Sequence, residues 1–251
     1  MSMLRIDLNC DMGEGAGHDA ELMPHITSAN IACGGHAGDA HTMRETLLLA
    51  ARHRTAAGAH PGYPDREGFG RRRMELTPGE IYNAVASQIA DLRAIARETG
   101  TPITHVKPHG ALYNDAAVDA RVARAVVRAV LDTDANLLLY GLAGSTLITE
   151  AELVGLRPVA EAFADRAYEP DGTLTPRGAA GALIEDPDTA AARVLRMVVE
   201  RTVTTTSGKD IRVRPETICI HGDGAHAVDI ARRVRAVLND APVRVAAPGA
   251  P

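Results

Sequence analysis

The sequence predicts a single α/β domain over residues 1–251, built as a (β/α) barrel of the TIM type. Three observations support this class. Strand-like and helix-like patterns alternate along the chain, the length suits one such barrel, and nearly every predicted strand ends in polar or ionisable residues. In a barrel these ends converge on one mouth, whereas an open doubly wound sheet would concentrate them at one switch point. We therefore favour the barrel.

Seven short apolar runs are predicted as strands, which indicates a seven-stranded barrel. They are Leu4–Leu8, Ala29–Cys33, Thr55–Ala59, Ile103–Lys107, Asn136–Tyr140, Arg157–Glu161 and Thr217–His221. The clearest helix between them opens at Thr77, where Thr77 and Glu80 form a capping box around Pro78, and it ends at Gly100.

The segments after the fifth strand complete this plan. Further helices are predicted to open at Asp186 and to run from Ala225 to Leu238. Thr202–Arg214 has the pattern of a β-hairpin or exposed excursion, and Ala246–Pro251 that of a loose tail.

Charge and cysteine content exclude several classes of protein. The net charge is −5, which argues against nucleic acid as the main partner because a phosphate backbone needs a basic face. No signal peptide and no apolar run long enough to span a bilayer are present. The three cysteines are odd in number and form no CxxC, so we expect a cytoplasmic protein with at least one free thiol.

Ionisable residues on the first strand are spaced for one face. Period two places Asp7, Asn9 and Asp11 on the same side, and Glu14 follows them. Such groups are costly to bury inside a barrel unless they bind a cation, a donor-rich ligand or one another, and carboxylates suit Mg²⁺. A helix cap or turn is the alternative for Asp11 and Glu14.

Two glycine-rich segments follow the next strands. His36 lies between glycines with no apolar face to join, so a core role is disfavoured, whereas Asp39 suits a helix N-cap equally well. The long segment that opens at His60 carries Arg71 and Arg72, whose guanidinium groups match phosphate oxygens. A solvated charged loop is the alternative for each arginine.

The fourth strand carries Lys107, one of only two lysines in the chain. Period two places it on one face with His105 and His109. A lysine inside a barrel must be paired or have a lowered pKa, and either state suits phosphate contact or proton transfer. A side chain that reaches outward at the strand end is the alternative.

The last two strands also end in ionisable groups. Glu161, Asp165 and Arg166 end or follow the sixth strand, and a local salt bridge between Asp165 and Arg166 is the simplest interpretation. His221 closes the seventh strand, and Asp223 suits either a site or a cap of the final helix. No one of these segments identifies a function by itself, but segments of this kind recur at strand ends along nearly the whole chain.

Six of these blocks together resemble the LamB/YcsF family. They are Asp7–Gly15, Thr27–Asp39, Gly58–Arg72, His105–Asn114, Glu161–Arg177 and Thr217–Asp223. The resemblance extends roughly from Leu4 to Leu238. The departures are small: Gly35 stands where the family usually has an aromatic residue, Met12 where Leu is common, and Gly224 where Asn or Ser is frequent.

The resemblance implies a fold and a reaction. The fold is a (β/α) barrel, often seven-stranded, similar to the glycoside hydrolase/deacetylase group. The reaction is the ATP-dependent opening of the lactam of 5-oxo-L-proline to L-glutamate, with release of ADP and phosphate. This family supplies the A subunit of such a 5-oxoprolinase, which works with B and C subunits. The implied cofactor is ATP with Mg²⁺, although the sequence contains no Walker A loop.

The strand-end residues supply the candidate site. The catalytic candidates are Asp11, Glu14, His60, Lys107, His109, Glu161 and His221. The candidates for binding substrate or ATP are Asn9, His36, Arg71, Arg72, Asp165, Arg166 and Asp223. The candidate Mg²⁺ ligands are Asp7 and Asp11.

Two other functions stay open from the sequence. One is a metal-dependent hydrolase or deacetylase of carbohydrate amides, which a stoichiometric transition metal would favour. The other is a non-catalytic regulatory subunit, which leaves the ionisable strand ends unexplained because a scaffold gains nothing from buried charge. The oligomeric state is open, and a homo-oligomer is compatible with the sequence.

Overall fold

The computed structural model describes residues 3–250, in which helices and strands alternate as expected. The strands are β1 (Leu4–Met12), β2 (Ser28–Ala32), β3 (Ala56–His60), β4 (Ile103–Val106), β5 (Leu138–Leu142), β6 (Pro158–Phe163), β7 (Thr202–Thr204), β8 (Asp210–Arg212), β9 (Thr217–Ile220) and β10 (Val243–Val245). The α-helices are α1 (Asp19–Leu22), α2 (Ala40–His53), α3 (Pro78–Thr99), α4 (Gly110–Val118), α5 (Ala120–Thr133), α6 (Thr146–Leu153), α7 (Pro187–Val199) and α8 (Ala227–Asp240), and a 3₁₀ turn spans Met23–His25.

Seven parallel strands close the barrel. β1 to β6 pair in chain order, β6 pairs with β9, and β9 pairs with β1. The register sets Asn9 opposite Ser28 on one side and opposite Cys219 on the other. β7 and β8 form the antiparallel hairpin predicted within Thr202–Arg214, and β10 pairs with the start of β1. The fold-class prediction is therefore confirmed.

Helix α3 shows why the sequence defines the outer layer well. Thr77 Oγ1 accepts from the N–H of Glu80, and the Glu80 carboxylate accepts from the N–H of Thr77 at 2.7 Å. Gly100 takes the left-handed conformation (φ 69°) that ends the helix. The predicted start and end of α3 are therefore both confirmed. Its apolar stripe, which includes Ile81 and Leu92, is buried.

Some boundaries differ from the sequence prediction. β1 continues to Met12 instead of ending at Leu8, because Asn9–Met12 pair with β2 while their polar side chains serve the barrel interior. Apolar periodicity does not detect such a segment. At the predicted tail, the N–H of Ala246 donates to the carbonyl of Ile6 at 2.9 Å, and Pro251 lies outside the described residues.

Two further features bear on the class of protein. Within residues 3–250, no helix has the length and apolar character needed to cross a membrane. The three cysteines all fall in this range, and each is a buried free thiol.

Candidate functional site

The floor of the barrel interior is a carboxylate held by hydroxyl groups. Asp7 is buried and accepts hydrogen bonds from Thr27 (2.5 Å), Ser28 (2.8 Å), Tyr140 (3.1 Å) and Thr217 (2.6 Å). Burial raises the pKa of Asp7, and the hydroxyl donors only partly oppose this. Because hydroxyl groups satisfy both of its oxygens, Asp7 fixes the floor of the site.

A charged cluster surrounds Lys107 above this floor. Its Nζ lies 2.9 Å from Asp11 Oδ1, 3.0 Å from Glu161 Oε1 and 3.0 Å from Cys219 Sγ. Burial acts to lower the pKa of Lys107, but the charges of Asp11 and Glu161, with a hydrogen bond to Cys219 Sγ, outweigh it and raise this pKa well above its usual range. Lys107 is therefore a fixed cation, which suits charge stabilisation and not proton transfer.

Amide and imidazole groups orient the two carboxylates. Asn9 Nδ2 donates to Glu161 Oε1 at 2.8 Å, and Asn30 Nδ2 donates to Asp11 Oδ1 at 2.8 Å and to Asn9 Oδ1 at 2.7 Å. His105 Nε2 lies 2.9 Å from Asn30 Oδ1. This buried network holds the polar groups in one geometry, because each loses hydrogen bonds if it moves.

Three histidines and Glu14 form one side of the mouth. His60 Nε2 lies 3.4 Å from Asp11 Oδ2 and 3.0 Å from His109 Nδ1, and His36 Nε2 lies 2.9 Å from Glu14 Oε1. Burial lowers the pKa of His36 to about 2 and, with the charge of His60, holds that of His109 well below its usual range. Burial opposes protonation of His60 as well, but Asp11 outweighs it and raises the pKa of His60.

An imidazole–carboxylate pair occupies the next part of the mouth. His221 Nδ1 lies 2.9 Å from Asp165 Oδ2 and 3.0 Å from Asp165 Oδ1, and its ring stacks on Phe163. Burial acts to raise the pKa of Asp165, but His221 outweighs it and the pKa is lowered. A carboxylate at Nδ1 fixes the ring and leaves Nε2 to exchange protons.

Arginines complete the rim. Arg71 and Arg177 both donate to the carboxylate of Asp223, Arg177 at 2.7 Å. Arg166 donates from Nη2 to the carbonyl of Thr175 at 2.6 Å, while its buried Nε has no hydrogen-bond partner among residues 3–250. This rim therefore suits an anionic ligand, which could pair with Arg166 or compete with Asp223.

These groups border one cavity of about 260 Å³. Small-molecule pockets are typically about 300–1,000 Å³, so this one suits a ligand of metabolite size. Its ionisable lining residues are Asp11, Glu14, His60, Arg71, Lys107, His109, Arg166, Arg177 and His221, and its apolar and aromatic ones include Tyr113, Phe163 and Leu174.

The family model that matches this chain is described as the LamB/YcsF family and covers residues 6–250. The chain belongs to the LamB/YcsF family. Two relatives are each named as the A subunit of 5-oxoprolinase. The protein of Shouchella clausii (strain KSM-K16) is 53% identical over 241 residues, which is 94% of this chain and 95% of the relative. That of Bacillus subtilis (strain 168) is 48% identical over 250 residues, which is 98% and 97% of the two chains.

Solved structures agree with the barrel of this LamB/YcsF chain. The lactam utilization protein from Thermus thermophilus superposes with a TM-score of 0.91 at 47% identity, covering 97% of this chain and 100% of the other. A putative cellobiose-phosphate cleavage protein from Enterococcus faecalis V583 has a TM-score of 0.60 at 13% identity, covering 98% and 97%. The second likeness shows the fold alone.

Most of the predicted site residues lie at the mouth of this barrel. Those that line the cavity are Asp11, Glu14, His60, Arg71, Lys107, His109, Arg166 and His221. Those bonded directly to lining residues are Asn9, His36, Glu161, Asp165 and Asp223.

Two predicted residues lie apart from the cavity. Asp7 lies in the floor, and Arg72 pairs with Asp65 on a side chain that is 61% exposed. Asp7 and Asp11 do not fit a shared Mg²⁺ ion, because hydroxyl groups occupy Asp7 while Lys107 holds Asp11 Oδ1.

The sequence allowed a helix cap for Asp39 and Asp223 and a local salt bridge for Asp165, and the structure supports only the cap by Asp39. Asp39 caps α2 by accepting from the N–H of Thr42 at 2.8 Å. Asp223 does not cap α8, since the N-cap of this helix is His226. Asp165 pairs with His221 and not with the neighbouring arginine in a simple salt bridge.

Several residues of this site are absent from the candidates predicted from the sequence. Asn30 carried a signal, because it pairs in register with Asp11 once β1 and β2 are adjacent. Cys219 lies on β9, two residues before His221, which follows the strand. Period two therefore places the two side chains on the same face. Arg177 and Tyr113 lie within the blocks Glu161–Arg177 and His105–Asn114 but were not predicted as site residues, and only the tertiary fold brings their loop and helix to the mouth.

The buried neutral ring of His105 gives an expected pH dependence of stability. Burial lowers its pKa from 6.5 to about 3, so between these values the unfolded chain binds a proton that the folded chain does not. Stability is therefore lost as pH falls below 6.5, by about 2 kcal/mol between pH 7 and pH 5. We expect His105→Gln to remove this part of the loss in urea unfolding at the two pH values. The control is His53→Gln on the exposed end of α2, and an undiminished loss in His105→Gln would contradict the assignment.

Proposed function

We propose that this chain is the A subunit of an ATP-dependent 5-oxoprolinase and that the lactam of 5-oxo-L-proline opens at its barrel mouth. The observation that carries the proposal is Lys107, a buried fixed cation between two carboxylates beside a metabolite-sized cavity. The names of relatives about 50% identical over nearly the whole chain support it. We further propose that B and C subunits complete the enzyme and that it acts in the cytoplasm, where buried free thiols stay reduced.

The proposed chemistry follows from the stability of an amide. A lactam is stabilised by resonance, and phosphoryl transfer from ATP to the amide oxygen makes its carbon open to attack by water. Breaking of the C–N bond then requires a proton on the ring nitrogen and leaves an acyl phosphate, which a second water hydrolyses to glutamate and phosphate. Catalysis of these steps is mostly positioning and charge neutralisation.

The residues of the mouth suit these tasks. Lys107 would stabilise negative charge on the amide oxygen, and Arg71 and Arg177 would contact phosphate oxygens. His221, oriented by Asp165, would protonate the ring nitrogen.

Arg166 is the candidate anchor for the carboxylate of 5-oxo-L-proline, because its buried Nε has no partner in the structure. A charge-assisted hydrogen bond contributes about 1.5–3 kcal/mol, so we expect Arg166→Met to raise KM about 10- to 100-fold while kcat changes less. The control is Arg128→Met, which removes an exposed arginine paired with Asp132. An unchanged KM for Arg166→Met would remove the anchor role.

The proposal is tested by glutamate release from 5-oxo-L-proline, ATP and Mg²⁺. The chain is assayed alone and then mixed with B and C subunits whose competence is shown with the A subunit of a relative. We expect turnover in the full mixture. Absence of turnover there would overturn the proposal, and release of acetate from N-acetylated sugars by the chain alone would favour the carbohydrate amide hydrolase. Turnover that persists in site variants would favour a non-catalytic subunit.

A further inference from the structure

Two histidines at the mouth direct ring nitrogens at each other. His60 Nδ1 lies 2.7 Å from the carbonyl oxygen of Lys107, and His109 Nε2 lies 2.9 Å from that of Phe69. A carbonyl oxygen only accepts hydrogen bonds, so both of these nitrogens carry hydrogen. The remaining nitrogens, His60 Nε2 and His109 Nδ1, are 3.0 Å apart. Two neutral rings would present two lone pairs here, so a proton or a metal ion must lie between them.

A carboxylate oxygen points at the same place. Glu14 Oε1 lies 3.3 Å from His109 Nδ1 and 3.7 Å from His60 Nε2. The distances among His60 Nε2, His109 Nδ1 and Glu14 Oε1 are 3.0, 3.3 and 3.7 Å. They bracket the roughly 3.3 Å between neighbouring ligand atoms of a tetrahedral ion with bonds of about 2.0–2.1 Å. Two imidazoles and one carboxylate, with a fourth position open, form a known donor set for Zn²⁺.

The surroundings fit a metal better than a lone proton. Each histidine donates its other N–H to a backbone carbonyl, which is how metal-bound imidazoles are usually oriented. All three donor residues line the cavity, so a ligand bound there could reach an ion that they hold. A shared proton would also be stabilised by Glu14 and by Asp11 Oδ2, which lies 3.4 Å from His60 Nε2, but it would not require three donor atoms to meet at tetrahedral spacing beside the cavity.

His36 is close to this point but is not a ligand. Its ring stacks on that of His109 with planes 4° from parallel and centroids 3.6 Å apart. A metal ion lies near the plane of each imidazole that binds it, and no ion can lie in two stacked planes at once. His36 instead contacts Glu14 Oε1 through Nε2 and orients the carboxylate.

We infer that Glu14, His60 and His109 bind one divalent first-row transition metal ion, of the Zn²⁺ type, at the mouth of the barrel. The ion takes the place of the proton between the two histidines, which is released on binding. Such an ion can polarise a carbonyl oxygen placed at the open position. The inference is independent of the proposed lactam chemistry, because binding is measured without substrate, ATP or partner subunits.

The test is Co²⁺ titration of the chelator-treated full chain, followed by visible absorption and elemental analysis. We expect one Co²⁺ per chain and a rise in Tm of about 5–10 °C with Zn²⁺ at about 100 times its Kd. His60→Asn keeps the donor to the Lys107 carbonyl and His109→Gln keeps the donor to that of Phe69, while each loses the ligand nitrogen. We expect these variants and Glu14→Gln to bind Co²⁺ at least about 100-fold more weakly.

Three controls make the outcome specific. His36→Gln keeps the donor to Glu14 and should weaken binding by no more than about 10-fold. His221→Gln probes the second group of donors, which comprises Asp11, Cys219 and His221, and should leave binding unchanged, as should the exposed His53→Gln. Absence of stoichiometric Co²⁺ in the wild type would overturn the inference, as would loss of binding in His221→Gln with retention in His60→Asn. The wild-type result remains informative even if a ligand variant fails to fold.

Discussion

Replacing Lys107 with methionine is expected to lower the rate of glutamate formation in the full mixture of subunits about 100- to 1,000-fold, the usual effect of losing one group that stabilises developing charge. Methionine matches the length of the stem and removes only the ammonium group. The matched control is Lys209→Met, since Lys209 is the other lysine of the chain and lies exposed in the β7–β8 turn. We expect the control to retain wild-type turnover.

The same change is expected to cost stability, so its effect on turnover must be separated from unfolding. Without Lys107, Asp11 keeps only His60 at 3.4 Å, and Glu161 stays buried without a paired cation among the described residues, at a cost of about 3–5 kcal/mol. The double variant Lys107→Met/Asp11→Asn removes one of these charges and should regain part of the free energy of unfolding, but not the turnover. Wild-type turnover in a folded Lys107→Met variant would remove Lys107 from the chemistry.

Replacing Asp7 with alanine is expected to lower the free energy of unfolding by about 3–5 kcal/mol. The loss arises because four hydroxyl groups, three of them buried and that of Thr27 partly buried, lose their shared acceptor, and each buried group left unsatisfied costs about 1–3 kcal/mol. Some of this cost is recovered, since Ser28 and Tyr140 lie 3.2 Å apart and can pair with each other. Urea unfolding measures the difference.

Asp7→Asn is the matched control, because it keeps the size and one acceptor oxygen while hydroxyl groups rotate to suit the new amide. We expect it to cost about 1–2 kcal/mol and to keep turnover within about 10-fold of wild type. A loss of less than about 1 kcal/mol in Asp7→Ala would contradict this structural role, and a complete loss of turnover in folded Asp7→Asn would assign Asp7 to the reaction.

The sequence predicts the barrel and the face of each strand, but not depth along the barrel axis. Period two places Asp7 and Asp11 on one face, so both are equally good candidate ligands from the sequence. The structure separates them, because β1 is long enough for Asp7 to reach the floor and Asp11 the mouth. Lys107 could be predicted as an inward lysine, but its charge state depends on Asp11 and Glu161, which come from other strands.

Loop partners are also beyond the sequence pattern. Arg71 and Arg72 are neighbours with the same chemistry, yet Arg71 borders the cavity while the exposed Arg72 pairs with the buried Asp65. The bond of Asp223 to Arg177 joins two loops 46 residues apart. Helices α4 and α6 have weak amphipathic patterns, because they are largely apolar and short, so the sequence signals that identify α3 are missing there.

The most direct measurement is a crystal structure of this chain with the proposed B and C subunits and 5-oxo-L-proline, which shows where the lactam binds. We predict electron density for the lactam in the cavity of this chain, with its carboxylate on Arg166 and its amide oxygen facing Lys107. Density for the lactam only on a partner subunit, with this cavity empty, would contradict the claim that the ring opens at the barrel mouth.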